Sequence, residues 1–436
     1  MQQLRRYAPN LMERFRIVDH GCKVNRYDGE LLRSELRRLG LSEADSNEDA
    51  DLMVLNACAV TDRAVQKGRK ALRRMRRSRP GAQLLVTGCM TDLDRAAYRR
   101  IDPGLVALSS PEPDTIRETL NDLLRHAAPM PSPGQPGLDD TAYSDRTRAF
   151  LKVQDGCDAR CSYCVIPSIR GGARSRPRPE ILAEARRLIA QGFRELVLCG
   201  VHLGHYGRDT GERLPDLVSA LSDLSDKDGE FRLRLSSLEI MEVDQGLRRA
   251  LSTQSRLVPH LHLPLQSGSS QVLRRMRRPY TAERYLAKIQ ELRASGPHLA
   301  LTSDVIVGFP GESEADFQDT LATVRAAVLS RIHIFPFSPR VGTEAAALPE
   351  RVEAPVVRAR IARLAREARQ LLRQSDRELI GRRATVLVER SGAAESSGLC
   401  EWYRRIRLPG PHPPSTFVRC HIVERSGDDL IGKPCS

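Results

Sequence analysis

The chain has 436 residues, which exceeds what one hydrophobic core serves and implies two to four domains. Lys plus Arg number 69 against 55 Asp plus Glu, a net charge of +14 and a pI near 9.6, so an acidic, charge-repelled disordered chain is excluded and a polyanionic partner is the first expectation. No apolar leader stands at the N-terminus and no run of about 18 apolar residues occurs, so a membrane span is not expected and a cytoplasmic location is.

Taken in chain order, residues 1–128 alternate short apolar runs with amphipathic stretches, the pattern of a parallel sheet with flanking helices. Arg16-Ile17-Val18, Leu52-Met53-Val54-Leu55 and Leu84-Leu85-Val86 read as buried strands. Between the first two, Asp28 is placed to cap a helix carrying Leu31, Leu32, Leu36 and Leu39 on one face, with Gly40 as its stop. Residues 129–146 open with Pro129-Met130-Pro131-Ser132-Pro133-Gly134 and read as a linker. Residues 147–376 resume the alternation, with strands expected at 150–153, 195–199, 231–236, 260–265, 301–307 and 332–337, which predicts a partial (β/α)6 barrel. A long Arg-rich helix is expected over 356–380. Residues 377–436 break into short β-type runs such as Thr385-Val386-Leu387-Val388, which suits a small β-barrel.

Ten cysteines in a reducing compartment point to ligation or burial rather than disulfides, and their spacing decides between these. Cys157-Asp158-Ala159-Arg160-Cys161-Ser162-Tyr163-Cys164 has the spacing C-x3-C-x2-C just after an expected strand. Three thiolates on one loop can hold three corners of a cubane cluster and leave one iron open to a substrate. A structural zinc site is the alternative, but it wants a fourth protein ligand, and no Cys or His follows nearby. A second set emerges when the N-terminal strands are aligned. Each of Val18-Asp19-His20-Gly21-Cys22, Leu55-Asn56-Ala57-Cys58 and Val86-Thr87-Gly88-Cys89 carries a cysteine just past a strand, at the carboxyl edge where ligands bind in parallel sheets. Small buried residues at strand ends would give the same pattern.

The C-x3-C-x2-C loop resembles the cluster motif of the radical S-adenosylmethionine superfamily, and the whole chain resembles the methylthiotransferase family within it, on the threonylcarbamoyladenosine tRNA branch. The resemblance implies two 4Fe-4S clusters, one on Cys157, Cys161 and Cys164 and an auxiliary one on Cys22, Cys58 and Cys89. It further implies that S-adenosylmethionine binds the open iron near Tyr163. Asp304 to Glu312, with Val307 and Gly308, resembles the superfamily's adenine-contacting strand, and Gln266 and Ser267 are the expected contacts to the nucleoside or methionine part. Residues 377–436 would be a TRAM domain, a small RNA-binding barrel. The expected activity is insertion of a 2-methylthio group into N6-threonylcarbamoyladenosine next to the anticodon, by a monomer that draws on an electron donor and a sulfur source. Isopentenyladenosine in tRNA, an aspartate of a ribosomal protein, or non-catalytic RNA binding stand as alternatives. Gly21 to Asp28 and Gly200 to Gly207 carry the likeness to the threonylcarbamoyl branch, and Lys23–Tyr27 and His202–Tyr206 are expected to be substrate-facing loops. Basic runs at 63–77 and 274–278 are expected to meet phosphates, and Trp402 and Tyr403 either stack on bases or fill a core. Cys199 reads as a strand residue; Cys400, Cys420 and Cys435 match no ligand position.

Overall fold

The computed structural model describes residues 12–108, 113–124, 147–225, 229–294 and 299–435, so the expected linker at 129–146 lies outside the described residues. The chain forms two compact units: Met1–Ser144 together with Val165–Gly171, and Asp145–Cys164 together with Gly172–Ser436. No helix among the described residues is long and apolar enough to cross a membrane.

The first unit runs β1 (Arg14–Asp19), α1 (Lys23–Arg38), β2 (Ser42–Glu43), β3 (Leu52–Ala57), α2 (Asp62–Ser78), β4 (Gln83–Gly88), α3 (Asp92–Arg99), β5 (Val106–Ala107) and α4 (Pro113–Leu124). Its strands pair in parallel in the order β2-β1-β3-β4-β5. Central β3 is buried at every residue, as a continuous apolar run requires when helices cover both faces. On α2, Val65, Gly68, Leu72 and Met75 are buried at helical spacing, while Arg63, Lys67, Lys70, Arg73, Arg74 and Arg77 are exposed. The expected cap at Asp28 is corrected. Gly21, at φ 128°, turns the chain off β1 at once, so α1 starts at Lys23 with Cys22 as its N-cap. Asp28 therefore sits inside the helix and is buried.

In the second unit, β6 (Arg148–Asp155) is followed, beyond the cysteine loop and the short helix α5 (Ile166–Arg170) that belongs to the first unit, by β7 (Arg174–Ser175), α6 (Arg178–Ala190), β8 (Glu195–Gly200), α7 (Leu214–Ser222), β9 (Arg232–Leu235), α8 (Gln245–Thr253) and β10 (His260–His262). Then come α9 (Ser270–Arg275), α10 (Ala282–Ala294), β11 (Ala300–Val307), α11 (Glu314–Ala327), β12 (Arg331–Pro336), α12 (Glu344–Ala347) and α13 (Ala354–Leu379). Strands β6, β8 and β9 are parallel neighbours, as are β10, β11 and β12, and the parallel bridges Leu233 to Leu257 and Ser237 to His262 join the two groups. Six parallel strands in sequence order make the partial barrel.

Strands β13 (Arg383–Ser391), β14 (Glu395–Leu399), β15 (Arg405–Pro409), β16 (Phe417–Ser426) and β17 (Asp429–Pro434) close a small barrel in the order β13-β14-β15-β17-β16. Its core holds Val386, Val388, Cys400, Trp402, Ile406, Cys420 and Leu430, so Trp402 packs inside rather than offering a stacking face. Tyr403 is likewise engaged, its ring stacked on His260 and lying under the Arg234 guanidinium.

The small barrel is fastened at the amino-terminal end of the larger one. Glu195, the first residue of β8, is fully buried and accepts hydrogen bonds from Arg232 Nε at 2.6 Å and from Arg234 Nε and Nη2 at 2.9 Å. Burial opposes its charge, but Arg234 and Arg232 hold its carboxyl well below the usual carboxylate range. The same two guanidiniums donate onward to the carbonyls of Thr385, Leu399, Cys400 and Glu401 in the small barrel. A second anchor is Asp376 on α13, buried between Arg404 and Arg425. The expected boundary at 376/377 thus falls inside α13, on one of the anchoring residues. Replacing Glu195 by Gln leaves two buried guanidiniums undercompensated and should cost about 3–5 kcal/mol. Deleting residues 383–436 should also destabilise the large barrel. Denaturant melts of the two variants against the parent chain check both outcomes.

Candidate cysteine sites

In the second unit the cysteine loop leaves β6 at Gly156, whose φ of 70° turns the chain so that Cys157 follows directly. Gln154 braces the turn, donating to the carbonyls of Asp155 and Gly156 and accepting from the His202 amide. Ser162 ties the far side through its amide to the Met276 carbonyl and through its hydroxyl to the Arg275 carbonyl. Cys157, Cys161 and Cys164 are all reduced and half-buried. Three soft sulfur donors on one braced loop, none of them oxidised, fit a thiolate-held iron-sulfur cluster with one open corner.

Two cationic side chains back these sulfurs. His202 Nδ1 lies 3.3 Å from Cys157 Sγ, and its Nε2 lies 2.8 Å from Glu242 Oε1. Burial opposes the imidazolium, but Cys157 and Glu242 raise its pKa to about 9. His205 stacks on His202 at 3.6 Å between ring centroids and also meets Glu242. Arg278 donates to Cys161 Sγ at 3.3 Å and pairs with Glu239. Segments expected to face substrate or phosphate also have partners within the protein. The His202–Tyr206 turn supports the cysteine loop, and in the run at 274–278 Arg275 pairs with Asp316, Arg277 with Glu344 and Arg278 with Glu239. Lys23–Tyr27 is no loop at all; it is the first turn and a half of α1.

Of the expected cofactor contacts, Tyr163 packs with Ile306 and Phe337 against Phe309, Val272 and Met276. Gln266 has φ 63° and bridges to β11, its amide donating to the Asp304 carbonyl and its carbonyl accepting from the Ile306 amide. Ser267 is buried, its hydroxyl accepting from the Ser269 amide and lying 3.4 Å from Thr320 Oγ1. Val307 is buried at the end of β11, and Gly308, at φ 80°, begins the turn in which its amide donates to Glu312. On the same sheet, His262 and His333 both meet the Asp304 carboxylate, at 3.2 and 3.0 Å, and together they hold it well below the usual carboxylate range despite burial.

In the first unit, Cys22, Cys58 and Cys89 follow β1, β3 and β4 at one edge of the sheet. Gly88, at φ 96°, turns the chain into Cys89 as Gly21 does into Cys22. Cys22 is the N-cap of α1, where the helix dipole favours negative charge, whereas Cys58 and Cys89 lie on the turns ahead of α2 and α3, whose N-caps are Thr61 and Thr91. The three are close enough to interact: burial pushes the Cys89 thiol up to about 12, Arg170 opposes the shift, and the charges of Cys22 and Cys58 add to it. Asn25 links the three turns, donating to the carbonyls of His20 and Ala57 while its Oδ1 lies 3.2 Å from Cys89 Sγ. This donor set also fits a three-thiolate cluster. Arg170 and Glu242 were missed by the sequence pattern, and Asn25, Asp28, His205 and Arg278 lay within segments given other roles; the clearest available signal for the first was its place six residues after Cys164. Cys199 is buried on β8, Cys400 and Cys420 lie in the small barrel's core, and Cys435 is exposed.

The family profile described as Radical SAM superfamily matches residues 151–324, and that described as Uncharacterized protein family UPF0004 matches residues 14–108. Threonylcarbamoyladenosine tRNA methylthiotransferase MtaB of Chlamydia pneumoniae is 35% identical over 422 residues, spanning 96% of this chain and 97% of the relative. The Bacillus subtilis protein of the same name is 36% identical, spanning 81% and 80%. A tRNA-2-methylthio-N(6)-dimethylallyladenosine synthase of Sphingopyxis alaskensis is 33% identical over 91% and 92%. Among solved structures, the radical S-adenosylmethionine methyltransferase TsrM from Kitasatospora setae, with cobalamin and a [4Fe-4S] cluster bound, has a TM-score of 0.58 at 13% identity, covering 77% of each chain, a likeness of fold.

Replacing Gly88 by Ala would put a Cβ 2.3 Å from the Ala57 carbonyl oxygen at a backbone angle that side chains rarely adopt. The variant should lose about 1–3 kcal/mol of stability and bind less iron in the first unit, as a melt and an iron assay of the parent and variant will read.

Proposed function

The chain belongs to the radical S-adenosylmethionine tRNA methylthiotransferase family, and from that premise we propose that it adds a 2-methylthio group to N6-threonylcarbamoyladenosine in tRNA using two 4Fe-4S clusters. The observation that carries the choice of adenosine is the likeness to the Chlamydia and Bacillus enzymes across most of the chain. We assign residues 1–128 to an N-terminal methylthiotransferase domain, 147–376 to the radical domain and 377–436 to a TRAM domain.

In this assignment Cys157, Cys161 and Cys164 hold the cluster that S-adenosylmethionine binds, and Cys22, Cys58 and Cys89 hold the second. When bound, cluster and S-adenosylmethionine together supply the radical that activates an inert C–H bond, chemistry no side chain offers. The chain's own residues do the positioning. His202 and Arg278 aim N–H groups at Cys157 and Cys161 and offset the charge gathered on the loop. Tyr163, Gln266, Val307 and Gly308 frame the place for S-adenosylmethionine, with Ser267 keeping the turn in shape. The protein acts as a monomer in the cytoplasm, with an electron donor and a sulfur source as partners.

Two surfaces suit the phosphates of tRNA. One is the exposed basic face of α2. The other is a cleft of about 580 Å³ on the small barrel, lined by Arg383, Arg419, His421 and Lys433 among others. Changing Arg383, Arg419 and Lys433 together to Glu should weaken tRNA binding at least about tenfold and flatten its dependence on salt. Filter binding across a salt series measures this. Equal slopes for parent and variant would remove the cleft from the interface.

Cells lacking the protein should retain threonylcarbamoyladenosine beside the anticodon and lose its 2-methylthio form. Mass analysis of digested tRNA reads the outcome. Loss of methylthio-isopentenyladenosine instead would select the dimethylallyladenosine branch, to which the Sphingopyxis relative belongs by name. Reconstituted protein should hold about eight irons, and about four after either cysteine triad is changed to Ala.

A further inference from the structure

Arg170 is the last residue of α5, the short helix that follows the cysteine loop in sequence and belongs to the first unit. Its side chain is 6% exposed. Nη2 donates to Asp28 Oδ2 at 2.7 Å and to Asn25 Oδ1 at 2.8 Å, and Nε donates to Cys89 Sγ at 3.1 Å. Asp28, Asn25 and Cys89 are themselves almost fully buried. A guanidinium in such a place is costly unless its donors are matched, and here Nη2 is held by two oxygens while Nε is pointed at sulfur.

We infer that Arg170 is a positioning residue for the second cluster, setting its reduction potential through an N–H···S hydrogen bond to Cys89. The inference rests on reading Cys22, Cys58 and Cys89 as ligands. A free thiol at Cys89 has a proton to give to Asn25 Oδ1, 3.2 Å away, but an iron-bound sulfur has none and can only accept. Arg170 supplies the donor that the ligated sulfur needs. It also takes over Asn25 Oδ1, so Asn25 keeps its hold on the His20 and Ala57 carbonyls, two residues before Cys22 and one before Cys58. Asp28 fixes the guanidinium so that Nε, rather than a flexible terminal nitrogen, meets the sulfur. A charged donor on a ligand sulfur stabilises the more negative, reduced cluster and so raises its potential.

The test uses the full chain with Cys157, Cys161 and Cys164 changed to Ala, so that iron reports on the first unit alone. In this background Arg170, Arg170→Lys and Arg170→Gln are compared for iron content and for midpoint potential in a titration followed by electron paramagnetic resonance. About four irons are expected with Arg170, together with a lower potential in Arg170→Gln and an intermediate one in Arg170→Lys. Loss of the cluster in the Gln variant with retention in the Lys variant also supports the inference, since charge separates the two. Equal potentials at equal iron content overturn it, as does loss of the cluster in both variants, which would make Arg170 a folding element. No iron with Arg170 intact overturns the ligand reading instead.

Discussion

A parallel sheet ends all its strands at one edge, and the chemistry of the first unit depends on that constraint. Cys22, Cys58 and Cys89 are far apart in sequence, yet β1, β3 and β4 are register-locked neighbours, so the residues that follow them emerge together. The turn at the edge then decides where the side chain goes. Gly21 and Gly88 take backbone angles that other residues rarely adopt and deliver a cysteine to the sheet edge, and Cys22 there becomes the N-cap of α1, where unpaired amides favour a negative sulfur. The second unit reuses the device with a single strand: Gly156 turns the chain off β6, and the loop itself supplies all three thiols.

Both sites share a further requirement. Three sulfurs held as thiolates would repel one another and lose hydration, and beside each cysteine set stand fixed cationic side chains that are themselves neutralised behind. His202 leans on Glu242, Arg278 on Glu239 and Arg170 on Asp28. The carboxylates keep the donors oriented, so the sulfurs meet rigid N–H groups rather than mobile surface charges.

How much of this could be read in advance follows from how local each signal is. The strands, the barrel and both cysteine sets were legible because periodicity and spacing act over a few residues. The start of α1 was misplaced because Asp28 looks like a cap in sequence, whereas Gly21 and Cys22 already turn the chain. The charged partners were hidden for a different reason. In a chain with so many arginines, Arg170, Arg232 and Arg278 look like the surface-exposed Arg74, and only the tertiary structure says which are buried against carboxylates. In the basic run at 274–278, Arg275 and Arg278 are engaged with carboxylates of the protein itself, while Arg274 and Arg277 are exposed.

The attachment of the small barrel has a consequence for biosynthesis. Arg232 and Arg234 are completed by the carbonyls of Thr385, Leu399, Cys400 and Glu401, residues that leave the ribosome long after β9 does. A nascent chain that has made all six strands of the large barrel still carries two guanidiniums around Glu195 without their final acceptors. The barrel can collapse early, but its amino-terminal end lacks these partners until residues 385–401 have been made. A ribosome stalled before Thr385 would leave a product whose cysteine loop is intact in sequence and whose scaffold is unfinished, a natural target for proteolysis.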